Sequence, residues 1–530
     1  ASKKCLILLV VLINSVKNTE NNSTGLFKGS RKNMNVIVLL NIVREKFQSL
    51  CFLAGALLFL SLAGCAQNPV SGNHDFVMLS EDSELALGRT NHPKIIAQYG
   101  RYDDEILQTY VQSIGERLAA VSHRDNLIYR FTVLDSPVIN AFALPGGYIY
   151  ITRGLMAYLN SEAELAAVLG HEIGHVTARH GVRQQSASQA AGLGYMIGSI
   201  LFPELRGAAS QDVFNIMSGA LLSGYGREHE LESDGLGAEY LARAGYEPKA
   251  MIDVIRVLKA QEIFAAAEAK KQGRETQGYH GLFASHPDND TRLHEVVGAA
   301  EQFSTAGNGQ VLLRREYLDQ IEGLVFGDSE KQGIRSGRHF YHLAMNFAVD
   351  FPLAWQINNK PDSLQAVSAG GQAFIEMRAA DINRKLSPKE FIKQRLKLAN
   401  LSAGKKLKVN GLNAYTGLTV LQDKPLRITV IYLRDRAFIF FSGVKDNEDF
   451  ARFDVDFLST AKSFHRLGKK EQHLAKAKNL EIVAVKKYDN YARWAQKSRI
   501  SNSPLLQLKL LNGHYPDGEL QAGQLAKRVK

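Results

Sequence analysis

Between Ser161 and Gly181 the chain has little choice of local structure. Ser161 stands three positions before Glu164, and apolar Leu165, Val168 and Leu169 follow, a capping box that opens an amphipathic helix expected to end at Gly181. That helix carries His171-Glu172-Ile173-Gly174-His175. At about 100° per residue the two histidines stand about 40° apart on one face, so both imidazoles reach a single ion. His180 falls about 180° around the helix from His171 and is expected to face away.

Zinc suits such a pair, because neutral imidazoles and a carboxylate hold it tetrahedrally and leave one position open to water. One Zn2+ per chain is expected. Glu172, next to the first ligand, is placed to take the proton of a water that the ion acidifies. The bland alternative, a helix with two incidental histidines, is disfavoured by the capped amphipathic setting. All three cysteines (Cys5, Cys51, Cys65) lie in the first 65 residues, so thiolate zinc sites and internal disulfides are excluded from the rest. The third ligand must be a carboxylate or imidazole from elsewhere. The run Glu228-His229-Glu230-Leu231-Glu232-Ser233-Asp234 pairs Glu228 with Glu232 and Glu230 with Asp234 one turn apart, and periodicity does not choose between the pairs.

HEIGH followed about 55 residues later by ELESD resembles the HExxH plus ExxxD pattern of gluzincins that include CAAX prenyl proteases, HtpX and BepA-like periplasmic proteases. The resemblance implies that His171, His175 and Glu230 hold zinc, that Asp234 orients a ligand histidine, and that Glu228 and Glu232 are surface charges. The segment Asn140 to Thr152 resembles the family's NAF-x-x-PGG stretch. It implies that Gly146, Gly147, Tyr148 and Ile149 belong to an edge strand on which an extended peptide adds main-chain hydrogen bonds; the alternative is a plain buried hairpin. Ser285-His286-Pro287 with Arg292 resembles the family's HP-x-x-x-x-R motif. By that resemblance His286 stabilises an oxyanion or competes with water for zinc, and Arg292 supports the ligands; alternatively His286 only caps a helix before Pro287. Residues 186–226 are expected to be helical, covering the cleft as a lid or lying as a static hairpin. The resemblance spans residues 75 to 300.

The start of the chain reads as an address. Arg44 and Lys46 precede an apolar run from Leu50 to Leu62, which ends in Leu62-Ala63-Gly64-Cys65. The run is short of the roughly 20 residues that span a bilayer. Its end resembles the lipobox of bacterial lipoproteins, which implies cleavage before Cys65 and lipidation of that cysteine. Ala66 in place of Asp favours the outer membrane by the same resemblance. Residues 1–33 read as upstream sequence ahead of Met34.

Beyond residue 305 the pattern changes. Arg338 to Phe351 and Leu426 to Gly443 are rich in β-formers, with a hairpin turn expected at Arg434-Asp435. Phe450, Phe453, Phe457, Ala461 and Phe464 then recur at helical spacing, a stripe expected to be core. The last stretch, from the strand-like Leu480–Val485 to Leu520–Lys527, resembles a LysM module, a βααβ unit that binds N-acetylglucosamine-containing glycans. It departs from that family in having Tyr488-Asp489-Asn490 where Gly-Asp-Thr is usual. No 34-residue helical repeat is evident.

The expected fold is α+β and multidomain. Residues 1–64 form a leader, 65–305 a mainly helical zincin-type protease domain with a small edge-strand sheet, 306–470 an α+β accessory domain, and 478–530 a βααβ LysM-like module. The first 64 residues supply +6 of the net charge of +11, and no dense basic block follows, so a nucleic-acid partner is not expected. Taken together, the resemblances imply a lipid-anchored metalloendopeptidase in the periplasm of a Gram-negative bacterium. It would cleave unfolded or misassembled envelope proteins in extended conformation and touch the membrane through Cys65 and peptidoglycan through its C-terminal module. A chaperone or assembly factor for outer-membrane proteins, or a peptidoglycan-associated scaffold, are the other readings.

Overall fold

The computed structural model describes residues 65–77, 79–187, 226–271, 289–303, 311–360, 362–382, 386–398, 400–421 and 423–530. The leader, His286 and residues 188–225 of the expected lid lie outside them. Residues 66–530 form one unit by contact.

Helix α1 (Glu81–Tyr99) is capped by Ser80, and α2 (Glu105–Ala119) by Asp104, each side chain accepting from the backbone N–H three residues on. Leu107, Val111, Ile114 and Leu118 form the buried stripe of α2, which packs on a three-stranded sheet of β1 (Arg130–Leu134), β2 (Ala141–Leu144) and β3 (Tyr148–Thr152). The strand order is β1-β3-β2. One outer edge is closed by side chains: Gln108 Oε1 accepts from Val133 N at 2.9 Å, and Gln112 Oε1 from Phe131 N at 2.8 Å. The glutamines of α2 thus stand in for a fourth strand, satisfying donors that β1 would otherwise bury unpaired.

This order corrects the expectation for Gly146, Gly147, Tyr148 and Ile149. Tyr148 and Ile149 lie in the central strand, paired with β1 on one side and β2 on the other, and Ile149 is fully buried. Gly146 and Gly147, at φ 84° and 85°, form the turn between β2 and β3. A strand bonded on both sides has no main-chain groups to offer a peptide. The outer strand away from α2 is β2.

Helix α3 (Glu162–Thr177) starts where the capping box places it. Ser161 Oγ accepts from Glu164 N at 3.1 Å, and the Glu164 carboxylate reaches back to Asn160 N at 2.8 Å. It stops earlier than expected, at Thr177, because Arg179 takes a left-handed φ of 56°. Every residue of α3 is buried. It packs on α4 (Arg227–Arg243), α5 (Ala250–Lys271) and, through α4, on α6 (Asn289–Phe303). The crossing of α3 and α4 needs glycine: a Cβ on Gly174 would lie 3.0 Å from Ser233 Cα, and one on Gly237 3.0 Å from His171 N.

Helix α7 (Arg314–Gln320) leads through β4 (Val325–Phe326) into two further sheets. The first is β5 (Ile334–Ser336), β6 (His339–His342) and β7 (Phe347–Asp350). The second has seven antiparallel strands: β8 (Gln356–Asn359), β9 (Leu364–Val367), β10 (Ala373–Asp381), β11 (Ser402–Val409), β12 (Leu412–Leu421), β13 (Lys424–Leu433) and β14 (Arg436–Val444), ordered β8-β9-β10-β14-β13-β12-β11. The expected hairpin is β13–β14, turning at Arg434-Asp435. Its apolar run is unbroken because both faces are covered. Helix α8 (Pro388–Gln394) buries Phe391 and Ile392 against Ile428, Val430 and Ile439, while α9 (Phe450–Ser463) packs Phe453 and Phe457 with Ile431, Phe438 and Phe440. The aromatic stripe is core, as its spacing requires.

The C-terminal stretch is β15 (Lys478–Ala484), α10 (Tyr491–Lys497), α11 (Pro504–Leu511) and β16 (Leu525–Val529), with β15 antiparallel to both β16 and β4. This βααβ segment has no separate core. Leu480, Trp494, Leu508 and Leu511 belong to the same hydrophobic cluster as Leu165, Leu169 and Ile255. Buried Lys527 sends its ammonium to the carbonyls of Ala157 and Leu159, at 2.8 and 2.7 Å, in the turn that feeds α3.

Candidate metal centre

On α3, His171 and His175 turn their Nε2 atoms to within 3.0 Å of each other. Glu230, entirely buried one turn into α4, brings its two carboxylate oxygens to 3.5 Å from His171 Nε2 and 3.4 Å from His175 Nε2. These three are the group among the described residues able to share one metal ion. Metal–nitrogen and metal–oxygen bonds near 2 Å in tetrahedral geometry separate neighbouring ligand atoms by about 3.3 Å, so the triad already has the spacing zinc requires. Two imidazoles and one carboxylate are also the donor set zinc favours while keeping a position open.

The groups behind the ligands explain the geometry. Asp234, one turn after Glu230, meets His171 Nδ1 at 2.7 Å and so turns that ring's Nε2 inward. Arg292 of α6 grips Asp234 with two bonds of 2.7 Å, and a third nitrogen lies 3.3 Å from Glu230. One guanidinium thus ties both carboxylates of the ExxxD pair. Glu172 is 1% exposed and follows His171 on α3. Of the two carboxylate pairs that periodicity left open, packing turns Glu230 and Asp234 toward α3.

Electrostatics separate the two histidines. Burial disfavours charge on His171, but Asp234 and Glu230 outweigh it and push the group up to about 9. His175 is held well below its ordinary value, burial outweighing its bond to Glu230. Burial opposes ionisation of Asp234, yet Arg292 and His171 hold it below the usual carboxylate range. A metal entering at neutral pH therefore displaces a proton from His171.

His180 departs from expectation. It is fully buried, and its Nδ1 lies 2.8 Å from His175 Nδ1. Extrapolating 100° per residue fails here because the helix has already ended and Arg179 swings the chain back. Glu232, expected to be a surface charge, instead meets His180 Nε2 at 2.9 Å. No periodicity signals either contact; the neighbouring Gly181 marks only a helix end. Glu228 is exposed, as expected.

A small cleft beside His175 is lined by Ala143, Leu144 and Pro145 at the end of β2 and by His175, Val176 and Arg179 at the end of α3. The end of the outer strand β2 thus lies next to one of the three candidate ligands.

Residues 105–300, which contain every one of these groups, match the family model described as peptidase family M48. They are a peptidase family M48 domain. The chain that carries this M48 domain is similar to several curated proteins. A beta-barrel assembly-enhancing protease of Yersinia pestis is 30% identical over 244 residues, covering 44% of this chain and 47% of that protein. The protein of the same name from Escherichia coli K12 is 25% identical over 359 residues, covering 64% and 70%. The mitochondrial metalloendopeptidase OMA1 of Arabidopsis thaliana is 33% identical over 148 residues, covering 28% and 29%. The chain thus spans about half the length of the Yersinia relative. Among solved structures, cyanobacterial PsbP from Synechocystis aligns with 25% of this chain and 95% of its own, at 12% identity and a TM-score of 0.21, a level that assigns no fold.

Proposed function

We propose that this chain is a zinc metalloendopeptidase of the bacterial envelope, lipid-anchored in the periplasm through Cys65, acting on unfolded or misassembled outer-membrane proteins. The observation that carries the reading is the convergence of His171, His175 and Glu230 inside an M48 domain, with Glu172 beside the first ligand. His171, His175 and Glu230 would hold one zinc ion. Bound there, zinc supplies Lewis acidity, polarising a scissile carbonyl and acidifying a water. Glu172, as carboxylate, takes the water's proton and delivers it to the leaving amine. Asp234 and Arg292 keep His171 and Glu230 aimed during this exchange. An extended substrate pairs with the outer edge of β2, which brings its backbone past His175. His286 is assigned the role of stabilising the oxyanion or occupying the open position of the metal.

Assembly work is the second reading, favoured by the printed name of the Yersinia and Escherichia relatives, which are assembly-enhancing proteases. Glycan capture by residues 478–530 has less support than packing, since that segment shares the peptidase core. The test compares wild type with Glu172→Gln on an unfolded outer-membrane protein, zinc content being measured in both. Cleavage should fall by at least about 100-fold while zinc stays at one per chain, since a general base contributes about 10²–10⁴-fold. Equal cleavage by both proteins would sink the mechanism. Lost cleavage with intact outer-membrane assembly in cells would favour the second reading.

A further inference from the structure

The two ligand histidines are held from behind in different ways. His171 Nδ1 meets a carboxylate directly, whereas His175 Nδ1 meets a second imidazole, that of His180, at 2.8 Å. From His180 the contacts continue: Nε2 lies 2.9 Å from Glu232 Oε2, and Arg183 approaches the same oxygen at 3.4 Å. Ser233 Oγ stands 3.3 Å from His180 Nδ1, and the His229 ring stacks on His180 with centroids 4.2 Å apart and planes 19° apart.

With a metal on His175 Nε2, only one assignment of protons satisfies this row of groups. A His175 that gives its Nε2 lone pair to a metal carries its proton on Nδ1. His180 Nδ1 must then accept, since two N–H groups would collide across 2.8 Å. The His180 proton therefore sits on Nε2, where the Glu232 carboxylate accepts it. Each member fixes the next, and Arg183 keeps the terminal carboxylate paired.

We infer that His180 and Glu232 form a positioning relay that locks His175 in its Nδ1–H tautomer and aims its Nε2 lone pair at the metal. The inference rests on the zinc reading above. It gives a purpose to the left-handed Arg179, whose bend after Thr177 returns His180 to the ligand face of α3. His180 and Glu232 are positioning residues, touching neither metal nor substrate.

The test measures zinc affinity of the full chain by competition with a chromophoric chelator, together with the visible spectrum of the Co2+-loaded protein. His180→Leu removes the acceptor and should weaken zinc binding about 10–100-fold, as loss of such a partner does elsewhere. The Co2+ bands should shift as well, in a protein that still unfolds cooperatively without zinc. His180→Gln can accept from His175 through its amide oxygen and donate to Glu232, so it should recover most of the affinity. Wild-type affinity and an unchanged Co2+ spectrum in His180→Leu would overturn the relay, as would a His180→Gln no better than His180→Leu. Should His180→Leu not fold, Glu232→Leu reports instead: several-fold weaker binding supports the relay, and none overturns it. Failure of wild type to bind zinc would overturn the zinc reading before any variant is compared.

Discussion

Replacing Lys527 by Met tests whether the C-terminal strand is part of the machinery that presents α3, the helix of His171 and His175. The ammonium lies in a fully buried position and donates to Ala157 O and Leu159 O at 2.8 and 2.7 Å. Met keeps the stem and most of the volume but none of the donors. Loss of a partner costs a buried polar group about 1–3 kcal/mol, so two carbonyls stand to lose roughly 2–6 kcal/mol. Against this stands the cost of burying the ammonium, visible in a Lys527 pKa held well below its ordinary value. The net expectation is a destabilisation of about 3 kcal/mol, since breaking a buried charged contact from one side costs more than the desolvation it relieves. The chain has two tryptophans, and Trp494 lies in the shared core, so urea unfolding followed by fluorescence in a Trp355→Phe background reads this region. Glu164 adds a pH signature. Burial raises it to about 7 despite the attraction of Lys527, and removing Lys527 raises it further. A carboxyl raised by folding loses stability as pH climbs through its folded value, so the deficit of Lys527→Met should widen above about pH 7. An unfolding midpoint unchanged at pH 6 and pH 8 would refute the idea that Lys527 secures the turn leading into α3.

Two further outcomes are expected. Asp234→Asn takes the charged partner from His171 and Arg292 and should weaken zinc binding about 10–100-fold, measured by chelator competition; undiminished affinity would show that Asp234 does not orient the ligand. Zinc affinity of wild type should rise about tenfold per pH unit from pH 6.5 and level off near pH 9, because the ion displaces the His171 proton held up to about 9, whereas His175 is already neutral. A flat profile over that range would contradict the electrostatic account.

The peptidase helix was legible because its signals are local. A cap, a back-reaching glutamate and histidines four apart act within a few residues, where 100° periodicity holds. For the same reason β13, β14 and the aromatic face of α9 were readable. Expectation and structure part where the local rule ends without a strong marker. The 100° periodicity does not hold for His180 past Arg179, and Glu232, a surface charge by resemblance, meets His180 instead. At Tyr148 and Ile149 the β-prone run and the glycines before it reveal a strand but not its neighbours, which lie on both sides.

What the sequence determined by itself was the pairing of His171 and His175 on one face of α3, with Glu172 between them; the proposed zinc chemistry starts from these residue types and spacings. Family resemblance picked Glu230 and Asp234 from two pairs that periodicity left equal. The tertiary structure alone decided how they are held. The glycine crossing of α3 on α4 sets the 3.4 and 3.5 Å approaches of Glu230, Arg292 arrives from a distant helix, and strand order makes β2 the outer edge. These are contacts between segments far apart in the chain, and side-chain periodicity carries no information about which segments meet.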